Sequence, residues 1–308
     1  MNIDNHSLTV RFRGVRGSIP SPGKETARYG GNTSCVELRC DGHILVLDAG
    51  SGIRALGNDL QAEFGDQPVS LDILISHTHW DHIQGFPFFS PGYFKRNLIR
   101  VWQNKQIESD LLAALRGQMQ GLHFPVTLDQ MHGITGFERL KGEPTRIGPY
   151  SISSTLLNHP GGCAGFRIET RFGSLAYLPD HEPIRHEAGK NNHQREKLVE
   201  FVSGVDLLIL DTQYTEEEYR RYIGWGHGCL PDSVALAEDA MVRQLAFFHH
   251  DPSHRDYQID LMVEAGRKLS ASTKLQVCAA TEMEIISLTA LPASLPNGQM
   301  NWRQCAEA

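Results

Sequence analysis

The sequence predicts an α/β fold in which two β-sheets pack face to face and helices flank them. Apolar segments of strand character alternate with amphipathic helical segments along the 308-residue chain. Several predicted strands end within two residues of a histidine, as residues 71–76, 150–157 and 245–248 do. Strands that each end in a possible metal ligand fit a sandwich whose functional site lies along one edge.

The composition is that of an ordinary soluble globular protein, with 40% hydrophobic and 21% charged residues. No run of eighteen apolar residues occurs, and the N-terminus lacks the basic start and apolar stretch of a secretory signal. We therefore expect a cytoplasmic protein that does not span a membrane. The six cysteines are scattered without a Cys-x-x-Cys pair, so we expect reduced thiols with no role in metal binding or catalysis.

Length and charge limit the organisation and the partners of the chain. We predict a single domain over residues 1–290 and a C-terminal extension, residues 291–308, that lies loosely against the surface. The formal net charge of −7 argues against a stable complex with a long nucleic acid, because such binding depends on neutralising many phosphates. A small anion in a metal-lined pocket is compatible with this charge.

The first elements are predicted to be strands. Residues 8–12 alternate apolar and polar side chains and are predicted to form a strand. Residues 34–39 and 43–47 are predicted to form a hairpin, because Asp41 and Gly42 between them favour a tight turn.

The next predicted strand leads into a segment with three histidines and one aspartate within six residues: His77, His79, Asp81 and His82. In extended backbone, residues two apart project to the same side, so His77 and His79 can address one ion. Asp81 and His82 follow where the backbone has begun to turn, and they can address a second ion. Imidazole and carboxylate ligands together suit zinc, manganese or iron.

The remainder of the chain is predicted to alternate strands and helices. The predicted strands are residues 150–157, 165–170, 174–178, 205–210, 245–248 and 275–279. The predicted helices are residues 109–119, 194–202, 216–222 behind a Thr215–Glu218 capping box, 231–243 and 257–269. No element is assigned to residues 121–148, whose two histidines, His123 and His132, are interpreted as ordinary polar residues.

Further candidate ligands follow later predicted strands: His159, Asp180, and the adjacent pair His249 and His250. A lone carboxylate after a strand is often a cap, so position alone does not make Asp180 a ligand. One more histidine, His227, lies in the glycine-rich loop Gly-Trp-Gly-His-Gly.

The segment His-Thr-His-Trp-Asp-His resembles the HxHxDH motif of the metallo-β-lactamase superfamily, and the later motifs follow in the order of that family over nearly the whole chain. The resemblance implies a four-layer αββα sandwich that holds two metal ions. The first metal would be held by His77, His79 and His159. The second would be held by Asp81, His82 and His249, and Asp180 would bridge the two.

The resemblance also implies supporting roles. His249 is preferred to His250 because the family pattern is His-x-x-Pro and Pro252 lies three residues after His249; His250 stays open as an alternative. An aspartate at the position of Asp48 orients the metal loop in the superfamily, although a cap for a helix that begins near residue 52 explains it nearly as well. Two divalent ions, expected as Zn²⁺ with Mn²⁺ or Fe as alternatives, would polarise a phosphoryl oxygen and hold a bridging hydroxide that Asp81 could orient.

The histidine loop resembles the Gly-His-Ser loop of ribonuclease Z and its relatives, with His227 as the histidine. Asp211 then stands where a supporting glutamate stands in those enzymes. A neighbouring carboxylate keeps an imidazole protonated, as a general acid for a departing alkoxide requires. A flexible surface loop is the alternative interpretation. The chain departs from the pattern at Gly228, which replaces the serine, at Cys229, and in the shorter carboxylate.

The chain more closely resembles small phosphodiesterases of the superfamily, including those acting on cyclic nucleotides, in its Gly-Val-Arg-Gly-Ser-Ile-Pro, Tyr-Gly-Gly-Asn-Thr-Ser-Cys and Phe-Phe-His-His-Asp-Pro segments. This resemblance predicts a two-metal phosphodiesterase for a small cyclic nucleotide, in which His227, supported by Asp211, protonates the leaving ribose oxygen. The alternatives are a ribonuclease Z-like RNA 3′-end endonuclease and a thioester or lactone hydrolase. We expect a homodimer and a small phosphodiester substrate; the nucleobase and the 3′,5′- or 2′,3′-linkage stay open.

Overall fold

The structure, a computed structural model, describes residues 7–140, 144–185 and 193–289. The predicted C-terminal extension, residues 291–308, lies outside the described residues. Within the described ranges, no helix has the length and apolar character needed to cross a membrane.

The first of two seven-stranded sheets is built mainly from the N-terminal half of the chain. Its strands are β1 (Leu8–Gly14), β2 (Cys35–Cys40), β3 (His43–Leu47), β4 (Ser70–Ile75), β5 (Leu98–Asn104), β6 (Ile134–Leu140) and β14 (Ile285–Leu288). They lie in the order β14-β1-β2-β3-β4-β5-β6. Strands β3 to β6 run parallel to one another, and the remaining neighbours are antiparallel.

The second sheet repeats this plan with the C-terminal half. Its strands are β7 (Thr145–Ile147), β8 (Tyr150–Leu157), β9 (Cys163–Thr170), β10 (Gly173–Leu178), β11 (Leu207–Asp211), β12 (Gln244–Phe248) and β13 (Gln276–Ala279). They lie in the order β13-β12-β11-β10-β9-β8-β7. Strands β10 to β13 are parallel, whereas β7 to β10 form an antiparallel meander.

Helices lie between the strands of both halves. They are α1 (Ile53–Phe64), α2 (Trp80–Ile83), α3 (Leu111–Gln118), α4 (His193–Val202), α5 (Glu216–Tyr219), α6 (Leu230–Asp239) and α7 (Asp256–Leu269). Short 3₁₀ turns occupy Phe86–Phe88, Ser90–Tyr93 and Leu128–Gln130.

Three apolar layers hold the sandwich together. The central layer joins the two sheets through side chains such as Phe12 and Phe166. On the outer face of the first sheet, Leu56 of α1 is buried, and on the outer face of the second sheet, Val234 of α6 and Ile259 of α7 are buried. Removal of this apolar area from water is the main force that favours the layered arrangement. The predicted four-layer αββα sandwich is therefore confirmed.

Most predicted elements are present, and the differences have local causes. The predicted hairpin turns at Asp41 and Gly42, which both adopt positive φ, 47° and 76°. The helix predicted over residues 231–243 ends at Asp239, because Met241 has a φ of 53° that no helix accommodates. Strands β5, β6, β7 and β14 have no counterpart in the prediction. Edge strand β14 is four residues long, too short for its periodicity to be distinctive.

Candidate metal centre and proton donor

Five strands deliver one candidate residue each to the same edge of the sandwich. Strands β4, β8, β10, β11 and β12 end at or within two residues of His77, His159, Asp180, Asp211 and His249, respectively. The carboxyl ends of parallel strands lie together at one edge of a sheet, where open α/β sheets bind their ligands. All three histidines and both aspartates are buried.

The first predicted ligand group comes together as expected from the motif. His77, His79, His159 and Asp180 offer ligand atoms that all lie within 4.8 Å of one another. Nε2 of His159 lies 3.0 Å from Nδ1 of His79. Nε2 of His77 and Nε2 of His159 each lie 3.6 Å from Oδ2 of Asp180.

The second group lies on the other side of the same aspartate. Nε2 of His249 is 3.0 Å and Nε2 of His82 is 3.3 Å from Oδ2 of Asp81. The two imidazoles lie 3.5 Å and 3.0 Å from Oδ1 of Asp180. Asp180 thus turns one oxygen toward each group, which is the position of a bridging ligand.

Three of these atoms are buried and make no well-aligned hydrogen bond within the described residues, although the last two lie only 3.0 Å apart: Nε2 of His77, Nε2 of His82 and Oδ1 of Asp180. An orphaned buried polar atom is costly, and a cation between imidazoles and carboxylates would satisfy all three. Burial also lowers the pKa of His77 well below its ordinary value, which leaves a neutral imidazole able to bind metal. The residues therefore fit divalent metal ions.

The charges of the site favour an anionic bridge. Burial alone would raise the pKa of Asp180, but His249, His82 and His77 outweigh burial and hold the pKa of this carboxyl well below its usual range. For His249, burial alone would lower the pKa, but Asp180 and Asp81 outweigh burial and raise the pKa to about 9. A proton on His249 must then be displaced when a metal binds.

Asp48 supports the metal loop rather than a helix. Its carboxylate accepts hydrogen bonds from the backbone N–H and the hydroxyl of Ser76, at 2.7 and 2.8 Å, and from the Tyr177 hydroxyl at 2.8 Å. It also lies 2.8 Å from Nδ1 of His82. Helix α1 is instead preceded by Gly52 and has no side-chain cap. Asp48 therefore orients the candidate ligand His82 through Nδ1 of that imidazole, which leaves Nε2 free to face the cluster.

The structure distinguishes the two adjacent histidines. His249 faces the second ligand group, whereas Nε2 of His250 lies 2.9 Å from the carbonyl oxygen of Ala280. Burial lowers the pKa of His250 to about 3, so this imidazole is neutral and serves packing and hydrogen bonding. A φ of 59° at His249 turns its side chain into the cluster.

Three neighbours of the second group are absent from the predicted site. Oε1 of Gln213 lies 3.1 Å from Nδ1 of His249, and the backbone N–H of Ser18 donates to Oδ2 of Asp81 at 2.7 Å. Gly17 packs so closely that a Cβ atom there would lie 2.4 Å from the His249 ring. Gly17 and Ser18 belong to the Gly-Val-Arg-Gly-Ser-Ile-Pro segment, but no local pattern in that segment indicates its contact with Asp81, 63 positions away.

His227 and Asp211 form a pair above the ligand groups. Nδ1 of His227 lies 3.0 Å from Oδ2 of Asp211 and 3.9 Å from Oδ2 of Asp180. The His227 ring stacks on that of His249 with centroids 4.9 Å apart. Asp211 is fully buried and accepts hydrogen bonds from the backbone N–H groups of Gln213 and His181. The structure thus places His227 over the cluster and not on a detached surface loop.

Glu182 anchors the loop that carries His227. Its Oε1 accepts hydrogen bonds from the Gly224 N–H at 2.7 Å and the Tyr219 hydroxyl at 2.8 Å, and its Oε2 accepts from the Gly226 N–H at 2.8 Å. The carbonyl oxygen of Gly226 in turn lies 2.9 Å from Nδ1 of His159. One carboxylate therefore connects the loop to the first ligand group. Its sequence signal is weak, since it merely stands two residues after Asp180.

The glycines on either side of His227 explain a departure from the Gly-His-Ser pattern. A Cβ atom at Gly228 would lie 1.9 Å from the carbonyl oxygen of Asp211, so no serine fits this backbone. At Gly226, φ is 88° and a Cβ atom would lie 2.4 Å from Nδ1 of His159. Close packing against the ligand and its support thus requires glycine at both positions.

The comparisons with known proteins agree with this architecture. Residues 43–250 match the family model of the beta-lactamase superfamily domain. Ribonuclease Z of Shouchella clausii is 22% identical over 291 residues, covering 79% of this chain and 86% of that protein. The metallo-beta-lactamase fold protein YhfI from Bacillus subtilis has a TM-score of 0.67 at 17% identity, over 92% of this chain and 99% of that one. A diphosphatase from the PhnP family has a TM-score of 0.64 at 18% identity, over 92% and 100% of the two chains.

The family match spans more than half of the sequence and includes every candidate ligand from His77 to His249. The fold and the gathered histidines and aspartates agree with it. The protein therefore belongs to the β-lactamase superfamily, as a metal-dependent hydrolase of the metallo-β-lactamase fold.

Proposed function

We propose that the protein is a dinuclear metal-dependent phosphodiesterase that hydrolyses small cyclic nucleotides. The observation that carries this proposal is the 3.0 Å pairing of His227 with buried Asp211, directly above the ligand groups. Cleavage of a phosphodiester expels a weakly acidic alcohol, which needs a proton as it leaves. A thioester or lactone hydrolase of the same fold does not need this pair.

The roles of the residues follow from their positions. Two divalent ions, held by His77, His79 and His159 and by Asp81, His82 and His249 with Asp180 between them, would supply Lewis-acid polarisation and a nucleophilic water at neutral pH.

Asp211 orients His227 through Nδ1, which leaves Nε2 to carry the proton that passes to the leaving oxygen. The N–H of Ser18 positions one Asp81 oxygen, and this carboxylate lies where it can orient the nucleophile.

Two further observations support chemistry at phosphorus. Similar proteins include a ribonuclease and a diphosphatase, and both names denote cleavage at phosphorus. The net charge of −7 favours a small substrate over a long polyanion.

Turnover measurements test the proposal. The zinc- or manganese-loaded protein is assayed on a panel of purine and pyrimidine cyclic nucleotides, both 3′,5′ and 2′,3′, alongside bis(p-nitrophenyl) phosphate. We expect hydrolysis of at least one cyclic nucleotide with a useful kcat/KM. Turnover of the nitrophenyl ester alone would overturn the cyclic-nucleotide assignment and leave the metal centre.

An RNA 3′-end endonuclease is the second candidate, and the similarity to ribonuclease Z over most of both chains favours it. Cleavage of a precursor tRNA at its 3′ end, followed on a gel, would establish this activity. We expect none on the basis of the acidic balance. A homodimer stays a prediction, which sedimentation analysis of the full-length protein tests.

A further inference from the structure

We propose that the exposed indole of Trp225 is a stacking subsite for the nucleobase of the substrate, beside the metal centre. The proposal rests on the proposed function for the substrate class, a nucleoside phosphate, and on the structure for the position of the base. It names the part of the site that distinguishes a nucleotide from a simple phosphate ester.

A continuous row of aromatic rings leads from the candidate proton donor to Trp225. The ring of Tyr214 meets that of His227 edge to face, with centroids 6.3 Å apart. Tyr222 stacks on Tyr214 at 4.7 Å with an interplanar angle of 20°. Trp225 then meets Tyr222 edge to face at 5.0 Å. Tyr214 is buried, Tyr222 is half-buried, and Trp225 is 61% exposed. The row therefore runs from His227 through buried Tyr214 and ends at the surface.

The backbone that presents this indole is held in place. Gly224 and Gly226, on either side of Trp225, both have a φ of 88°, and both donate their N–H groups to the buried carboxylate of Glu182. The backbone N–H of Trp225 donates to the carbonyl oxygen of Tyr222 at 3.0 Å. An exposed aromatic side chain on an anchored backbone is preorganised for a ligand, because little backbone freedom is lost on binding.

The proposed reaction brings the nucleoside to the His227 side of the site. In the proposed function, His227 faces the leaving ribose oxygen, so the sugar lies next to His227. The base extends one sugar further, and Trp225 stands two residues from His227 on the same loop. Every nucleobase has a π-face, and the two-ring system of a purine offers the larger area for an indole.

Trp80, within the ligand segment itself, provides a matched alternative. It is 72% exposed and lies between His79 and Asp81, but no described ring contact joins it to the row that ends at Trp225. If exposure next to the metal centre were sufficient, Trp80 would stack the base equally well. Variants of the two tryptophans therefore separate a specific subsite from general hydrophobic contact.

The test compares two inhibitors that differ only by a base. Adenosine 5′-monophosphate and ribose 5-phosphate are assayed as competitive inhibitors of bis(p-nitrophenyl) phosphate hydrolysis by the zinc-loaded full-length protein. We expect Trp225→Ala to raise the inhibition constant of the nucleotide about 5- to 100-fold and that of the sugar phosphate less than about twofold. Trp225→Phe should restore most of the preference, and Trp80→Ala should leave it intact.

Three results would overturn the proposed stacking subsite at Trp225. An unchanged nucleotide constant in Trp225→Ala would do so, as would an equal rise for both inhibitors or a loss of preference in Trp80→Ala instead. Metal content and kcat on the nitrophenyl ester show that each variant is folded. If no phosphodiester is hydrolysed, the proposed function fails, and tryptophan fluorescence still tests the subsite. Quenching by the nucleotide that Trp225→Phe abolishes supports it, and quenching that survives this change contradicts it.

Discussion

Nδ1 of His227 lies 3.0 Å from Oδ2 of Asp211, a buried carboxylate sixteen residues earlier in the chain. Asp211 is held from its own side by two backbone N–H groups, so it can orient an imidazole without moving. The pair lies directly above the ligand groups, where the proposed reaction would need a proton for the leaving alcohol.

Replacement of His227 tests this arrangement. We expect His227→Ala to reduce kcat on a cyclic nucleotide by about 10²-fold or more, because the ribose oxygen then leaves without a proton. The loss should be much smaller on bis(p-nitrophenyl) phosphate, whose leaving group departs as a stable anion, and metal content should stay unchanged. His132→Ala, an exposed histidine far from the site in sequence, serves as the control. Equal losses on both substrates would rule out the general-acid role.

Asp48 is expected to control metal affinity without binding metal. Asp48→Asn keeps the shape of the side chain but weakens its interaction with Nδ1 of His82, so zinc affinity should fall about 10- to 100-fold. Calorimetric titration measures the change. Asp72→Asn is the matched control, because Asp72 pairs with Arg100 and Trp102 away from the site. Unchanged zinc affinity in Asp48→Asn would contradict the orienting role.

The protonation of His249 predicts a pH dependence of metal binding. Its pKa of about 9 in the metal-free protein means that a proton is displaced on binding at neutral pH. Burial lowers the pKa of His82, but Asp180 and Asp81 outweigh burial and raise it well above its ordinary value, so this ligand also holds a proton. Apparent zinc affinity should therefore rise with pH up to about 9, by at least about tenfold per unit. Titrations in buffers of different ionisation enthalpy count the protons released. An affinity that does not change between pH 6 and 8 would contradict this expectation.

Glu182 is expected to act as a positioning residue for the His227 loop. In Glu182→Gln, one of the two loop N–H groups of Gly224 and Gly226 would face an amide NH₂. We expect faster amide hydrogen exchange at these glycines. We also expect the substitution to lower kcat on cyclic nucleotides more than it lowers kcat on the nitrophenyl ester. Glu216→Gln removes an exposed ion pair with Arg185 and is the control. Unaltered exchange at both glycines would disprove the anchoring role.

Glu218 links stability to pH away from the metal centre. A hydrogen bond from His254 is the main reason that the pKa of Glu218 falls from 4.5 to about 2. A lowered folded-state pKa stabilises the protein above about pH 4.5, and this contribution is lost as pH falls toward 2. Urea unfolding of metal-free protein should therefore show that Glu218→Gln is destabilising at pH 7 and progressively less so at pH 4 and 3. A difference that is the same at all three values would contradict the linkage.

The sequence alone predicted the α/β sandwich, the hairpin at Asp41 and Gly42, and the segment from His77 to His82. These features depend on short-range patterns, since alternation, turn residues and a spacing of two within a strand end are properties of neighbouring positions. The order of later strand ends added His159 and Asp180 once the family resemblance was recognised.

Only the tertiary structure decided the remaining features. It turned His249 and not His250 into the cluster, attached Glu182 to a loop 44 residues away, and excluded serine at Gly228 by the close approach of Asp211. It also placed Trp225 at the end of an aromatic row. Each of these depends on which strand ends meet across the sandwich, and that meeting is determined by the packing of two whole sheets, for which no local periodicity carries a signal.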